Sequence, residues 1–138
     1  MTRTEPVPQG DYVAARRHGA LIVTAGMTPR LEGKLLYQGP VRAGQIAEQR
    51  EAVELACANA LRAAEAKLAP GETIGAVLTM TAYIAAEAGF AEHSKIADFA
   101  SAYLRAHLGE RGICSRTAVG VATLPGNAPV EIQLILAI

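Results

Sequence analysis

Ser115-Arg116-Thr117-Ala118-Val119-Gly120-Val121-Ala122-Thr123-Leu124-Pro125-Gly126-Asn127-Ala128-Pro129-Val130-Glu131-Ile132-Gln133-Leu134-Ile135-Leu136-Ala137-Ile138 reads as two strands joined at Pro125-Gly126-Asn127. The strands cover 117–124 and 130–138, and the turn residues between them suit a hairpin. In the second strand Val130, Ile132, Leu134, Leu136 and Ile138 share one face,. Ile135 and Ala137 make the opposite face apolar as well. A strand apolar on both sides needs cover on both sides. Helices can supply one cover, and a second copy of the chain is expected to supply the other. Two charges break the apolar pattern: Arg116 opens the first strand and Glu131 interrupts the second. In a hairpin with this tip, Arg116 would pair near residues 136–138. Glu131 would then lie on the order of 15–20 Å away, too far to share one small ligand within a chain.

Upstream, 73–84 alternates. Ile74, Ala76, Leu78, Met80, Ala82 and Ile84 are expected on one face, with Val77, Thr79, Thr81 and Tyr83 on the other. Helical spacing flanks it on both sides. From Gln45 to the Pro70-Gly71 stop, Ile46, Val53, Cys57, Ala60, Leu61, Ala64 and Leu68 form an apolar stripe,. Its many alanines suit close packing on a sheet. A second helix spans about 91–108, with Ile96, Phe99, Ala100, Tyr103, Leu104, His107 and Leu108 on one side. Near the start, 12–17 and 20–25 form a hairpin around His18-Gly19, followed by a glycine- and proline-rich loop with a short strand at 34–37,. The order ββ(β)–α–β–α–ββ is that of an α+β layer, two helices on one sheet.

The 138 residues are expected to form a single domain, with 1–9 as a flexible leading segment,. Half of them are hydrophobic (51%) and tryptophan is absent, so the core must be built from Ala, Val, Leu and Ile. Thirteen Lys and Arg balance thirteen Asp and Glu. Nucleic-acid binders generally carry a basic face, which argues against such a partner. Cys57 and Cys114 follow no metal spacing and read as reduced thiols. The polar first ten residues do not resemble a secretion signal, and no apolar run reaches the ~20 residues that span a bilayer. The cytoplasm is the expected location, with no membrane partner. His18, His93 and His107 are widely spaced and are expected at a turn, an exposed helix start and a helix end. No metal site is expected from them. Nucleotide, hydrolase and metalloprotease motifs are absent from the sequence.

The segment Ser115-Arg116-Thr117-Ala118-Val119, with Leu124-Pro125 and Val130-Glu131-Ile132, resembles the C-terminal signature of the RidA/YjgF family, also named endoribonuclease L-PSP. Asp11-Tyr12-Val13 and Thr24-Ala25-Gly26-Met27 resemble it too, so the likeness spans nearly the whole chain; the run 119–131 is similar to a divergent branch. The resemblance implies a chorismate-mutase-like fold, a mixed β-sheet with two helices packed on one face, and a homotrimer with clefts between subunits. It also implies roles: Arg116 grips the carboxylate of a 2-imino or 2-enamino acid, Glu131 places the hydrolytic water, and Tyr12, Ala25, Gly26, Asp98 and Ala118 line the cleft. A planar guanidinium binds a carboxylate bidentately, and an imine carbon is already electrophilic, so neither a metal nor an organic cofactor is required. The deaminating members carry Ser, Asn and Cys where Ala25, Asp98 and Ala118 align. Three functions are therefore expected in descending order: imine or enamine hydrolysis, non-catalytic binding of a small carboxylate-bearing metabolite, and the ribonuclease or translation-inhibitor activity of the older family name.

Overall fold

The computed structural model describes residues 5–138. Of the leading segment 1–9, residues 1–4 lie outside the described residues. The strands are β1 (Ala15–His18), β2 (Leu21–Thr24), β3 (Arg30–Leu31), β4 (Lys34–Leu35), β5 (Ala76–Ala85), β6 (Ser115–Val121) and β7 (Val130–Ala137). The helices are α1 (Arg50–Glu65) and α2 (His93–Leu108). β1 and β2 form the expected first hairpin, with Ala15 opposite Thr24 and His18 opposite Leu21.

The hairpin expected at the C-terminal end does not form. The five-stranded sheet runs β1-β2-β7-β5-β6, so β5 lies between β6 and β7. α2 returns the chain to the starting end of β5, which makes β6 a parallel neighbour; such pairs require a crossover of this kind,. Residues 122–129 then carry the chain across the end of β5, and β7 inserts antiparallel to both β5 and β2. Pro125–Asn127 still forms a turn, with Gly126 and Asn127 both at positive φ (66° and 64°), but it joins strands that are not adjacent. Arg116 accordingly pairs with Met80 of β5, not with residues 136–138.

One more expectation fails locally. A register shift between Val77 and Thr79 reverses the pleat at the start of β5. Val77 is buried (2% exposed), whereas Leu78, which strict alternation places beside Met80, is 44% exposed. A bulge adds one residue to a strand and turns the following side chains over.

Both helices pack on one face. α1 buries Ala52, Val53, Ala56, Cys57, Ala60, Ala63 and Ala64, and α2 buries Ile96, Ala97, Ala100 and Leu104. They cover Ile22, Met80, Ile84, Ile132, Leu134 and Leu136 of the sheet. The small alanine side chains let α1 lie close to the strands, replacing the volume that aromatics would fill. Among the described residues no helix covers the other face. Leu21 and Val23 are exposed there, and Ile135 and Ala137 are half-buried.

A bidentate ion pair ties the first hairpin to the end of α1. Arg17 donates to Glu72 at 2.6 and 2.9 Å and to the Lys67 carbonyl at 3.0 Å. The hydrogen bonds from Arg17 and from the Ala69 N–H hold the Glu72 carboxyl down from 4.5 to about 2. A depressed carboxylate stabilises the fold above its unfolded pKa, and that contribution disappears as pH falls through the folded value. Glu72→Gln is therefore expected to lower the melting temperature at pH 7, with the gap to wild type closing between about pH 4.5 and pH 2. Thermal unfolding across that range checks it; a pH-independent gap would rule out the ion pair as its cause.

Candidate functional site

Arg116 lies on the edge strand β6, and its register with Met80 places it on the helix-facing side. Its guanidinium lies along α2. Nη1 donates to Ser101 Oγ at 2.8 Å and stands 2.8 Å from Asp98 Oδ1. Nη2 donates to the Ser94 carbonyl at 3.0 Å and to Ser94 Oγ at 2.7 Å. Ser94, Asp98 and Ser101 recur at i, i+4 and i+7, which puts them on one stripe of the helix. The guanidinium is thus fixed in position by its own chain, with its side chain 21% exposed. Ser94 and Ser101 were not anticipated, although the polar stripe beside the apolar one is visible at that spacing in the sequence.

Ala118, two residues along β6, faces the same side and is packed against the core. Arg116, Asp98 and Ala118 therefore do come together. Gly120 is the next residue of that row, and the ring of His93 occupies the space its side chain would fill. His93 is half-buried, not the exposed helix-start residue expected from sequence, because Gly120 leaves room for it.

Glu131 belongs to a different place. It pairs with Tyr83 and points to the face away from the helices. Its carboxylate folds over Gly26: a Cβ at that position would stand 2.6 Å from Oε2, so a larger residue there would push the Glu131 side chain aside. Burial pushes the Glu131 carboxyl upward, because removal from water disfavours the charged form,. Ala25 donates its N–H to Ala14 O at 2.8 Å and packs against the core. Tyr12, 48% exposed, accepts the Gln9 N–H at 3.1 Å. Tyr12 and Gly26 line a cavity of about 150 Å³ together with Met27, Thr28, Arg30 and Asn59, among others. Asn59, also unanticipated, is nearly buried and holds that wall by donating to the carbonyls of Thr28 (3.1 Å) and Arg30 (2.8 Å).

The expected residues thus divide into two groups, Arg116–Asp98–Ala118 and Glu131–Gly26–Ala25–Tyr12. In the sheet, Glu131 and Arg116 are two strands and three rungs apart, roughly 14 Å by strand geometry, and on opposite faces,. This is less than the separation a hairpin would give, and sheet order and pleat produce it.

The family profile for endoribonuclease L-PSP matches residues 2–138. The chain belongs to this family, also called RidA/YjgF. Solved structures of similar fold include a protein of unknown function from Agrobacterium tumefaciens, 34% identical, with a TM-score of 0.86 over 96% of this chain and 85% of that one. A Shewanella oneidensis protein described as a candidate endoribonuclease is 29% identical, with a TM-score of 0.86 over 98% of this chain and 90% of that one. E. coli TdcF with bound serine is 21% identical, with a TM-score of 0.74 over 100% of this chain and 96% of that one. Among curated proteins none matches the sequence closely. The mixed sheet with two helices is the fold of these RidA/YjgF neighbours. Among the described residues no cluster of three His, Cys, Asp or Glu could hold a metal ion, and no helix is long and apolar enough to cross a membrane.

The resemblance aligns Asp98 with an uncharged asparagine of the deaminating members, and in this chain the position is acidic. Its carboxylate stands 2.8 Å from Nη1 of Arg116, so a ligand carboxylate bound to that guanidinium would compete with it. Asp98→Asn removes the competitor's charge and is expected to tighten binding of butyrate about three- to fivefold, the scale of a solvent-exposed ion pair. Titration calorimetry on both proteins measures it; unchanged or weaker binding would show that Asp98 does not compete.

Proposed function

We propose that copies of this chain associate as a homotrimer and bind small carboxylates in clefts where the Arg116 group of one copy meets the Glu131 group of the next. One observation carries the reading. Arg116 and Glu131 lie on opposite faces of one protomer's sheet, so a single small ligand can meet both only across a boundary between copies. The uncovered sheet face, with Leu21 and Val23 exposed, offers the apolar surface for such an association,. TdcF, of similar fold, holds serine, itself a small carboxylate.

The chemistry proposed is hydrolysis of a 2-imino or 2-enamino acid. Arg116 holds the carboxylate. Glu131, whose carboxylate burial makes a stronger base, accepts a proton from water as the water adds to the imine carbon,. The C–N bond then breaks with proton transfer to nitrogen, releasing ammonia and leaving a 2-oxo acid. Complementation tests both the boundary and the chemistry. Arg116→Ala and Glu131→Gln are each expected to be inactive toward enzymatically generated 2-imino acids. Mixed one to one, unfolded and refolded together, they are expected to regain activity, since about one cleft in four then carries both native residues. No recovery, from variants that are individually folded, would place both groups in one protomer's site or in none.

The ion pair between Asp98 and Arg116 favours a second reading, a binding trimer without turnover. Tight carboxylate binding with no ammonia released would select it. The ribonuclease reading has less support, because positive and negative side chains balance and the guanidinium at the centre of the site is already paired.

A further inference from the structure

Arg116, Ala118 and Gly120 alternate along β6 and pair with Met80, Ala82 and Ile84, so all three face the helices. The first offers a guanidinium and the second only a methyl. The third offers nothing of its own, and the imidazole of His93 stands in its place: a Cβ on Gly120 would lie 2.5 Å from His93 Nε2. Phe90 holds the ring from the side, edge-on, with centroids 5.2 Å apart and planes at 77°. Neither ring nitrogen of His93 is hydrogen-bonded to another described residue. Ser94, the next residue, is the one that binds Arg116 through both its carbonyl and its hydroxyl. The guanidinium and the imidazole therefore flank the small Ala118, two nitrogen-bearing groups held on one row by neighbouring residues of one helix.

We infer that His93 is a specificity-determining residue of the Arg116 group, and that the ligand class it selects is a small carboxylate carrying a second acidic group. The inference rests on the carboxylate reading of Arg116 and adds to it which carboxylates are preferred. The first acidic group exchanges with Asp98 on the guanidinium. The second accepts a hydrogen bond from the imidazole, whose nitrogens have no competing partner among the described residues. Ala118 places only a methyl group between them, where a larger side chain would stand in the way.

Succinate and butyrate test this, since both have four carbons and only one has a second carboxylate. Calorimetric titration of the whole chain is expected to show succinate binding more tightly than butyrate. His93→Phe keeps a ring of similar size over Gly120 and beside Phe90 while removing both nitrogens. It is expected to weaken succinate about tenfold and leave butyrate unchanged. Gly120→Ala, which forces the imidazole aside, is expected to reproduce the selective loss by an independent route. Equal affinities in the wild-type protein, or an unchanged succinate-to-butyrate ratio in both variants, overturns the role of His93 and leaves the Arg116 reading standing. Binding of neither acid overturns the Arg116 reading, and this inference with it.

Discussion

Arg116→Ala is expected to weaken butyrate binding by about 100-fold or more while leaving the fold nearly as stable as before. Hydrogen bonds to a charged group contribute about 1.5–3 kcal/mol each in favourable settings, and two parallel ones form between a guanidinium and a carboxylate. Because Ser94 and Ser101 already fix the guanidinium, a ligand does not have to order it, so little of that interaction is spent on immobilising the side chain,. The stability cost is small for the opposite reason. The partners left behind, Asp98 and Ser94, are exposed and regain water when the guanidinium is removed,. Titration calorimetry paired with thermal unfolding separates the two effects. A large drop in melting temperature with unchanged butyrate affinity would make Arg116 a structural clamp between β6 and α2 and remove it from the site.

Leu134→Ala should have the largest effect on stability, about 3 kcal/mol, or a fall of roughly 10 °C in melting temperature. Leu134 is fully buried in the middle of β7, which pairs on both edges, so neither neighbouring strand can move in to fill the cavity. Its backbone N–H donates to the buried Thr24 Oγ at 3.0 Å, which holds this part of β7 in place against the first hairpin. The bulge in β5 supplies the control. Leu78→Ala, in the exposed position created by the register shift, should stay within about 0.5 kcal/mol,. Denaturant titration of both variants measures the contrast. Equal losses would mean that Leu78 is covered as deeply as Leu134 and that the pleat does not reverse at Val77.

Parts of the candidate site could be singled out from the sequence. Arg116 and Glu131 were visible because each breaks an apolar strand, and a charge in such a setting needs a reason. Asp98 was assigned to the cleft lining by resemblance, and its ion pair with Arg116 was not foreseen. Ser94, Ser101 and Asn59 were missed, because single polar residues on an alanine-rich helix look like solvent contacts until a partner from another element is known. His93 was misjudged for a related reason. Its burial depends on the missing side chain of Gly120, 27 positions later, and nothing local in the sequence links them.

The period of the apolar residues by itself indicated the elements: two helices, the first rich in alanine, strands at 73–84 and 130–138, and an opening hairpin, because the 3.6- and 2-residue repeats are properties of local backbone geometry. It also determined that the last strand has two apolar faces. Strand order was decided only in three dimensions. A turn such as Pro125–Asn127 permits a hairpin but cannot require one, and β5 took the place beside β7 once α2 had brought β6 to its other edge. That single exchange puts the Arg116 guanidinium on α2 and the Glu131 carboxylate on the bare face, since pairing register and pleat, which no local pattern encodes, fix the side of the sheet to which each residue points.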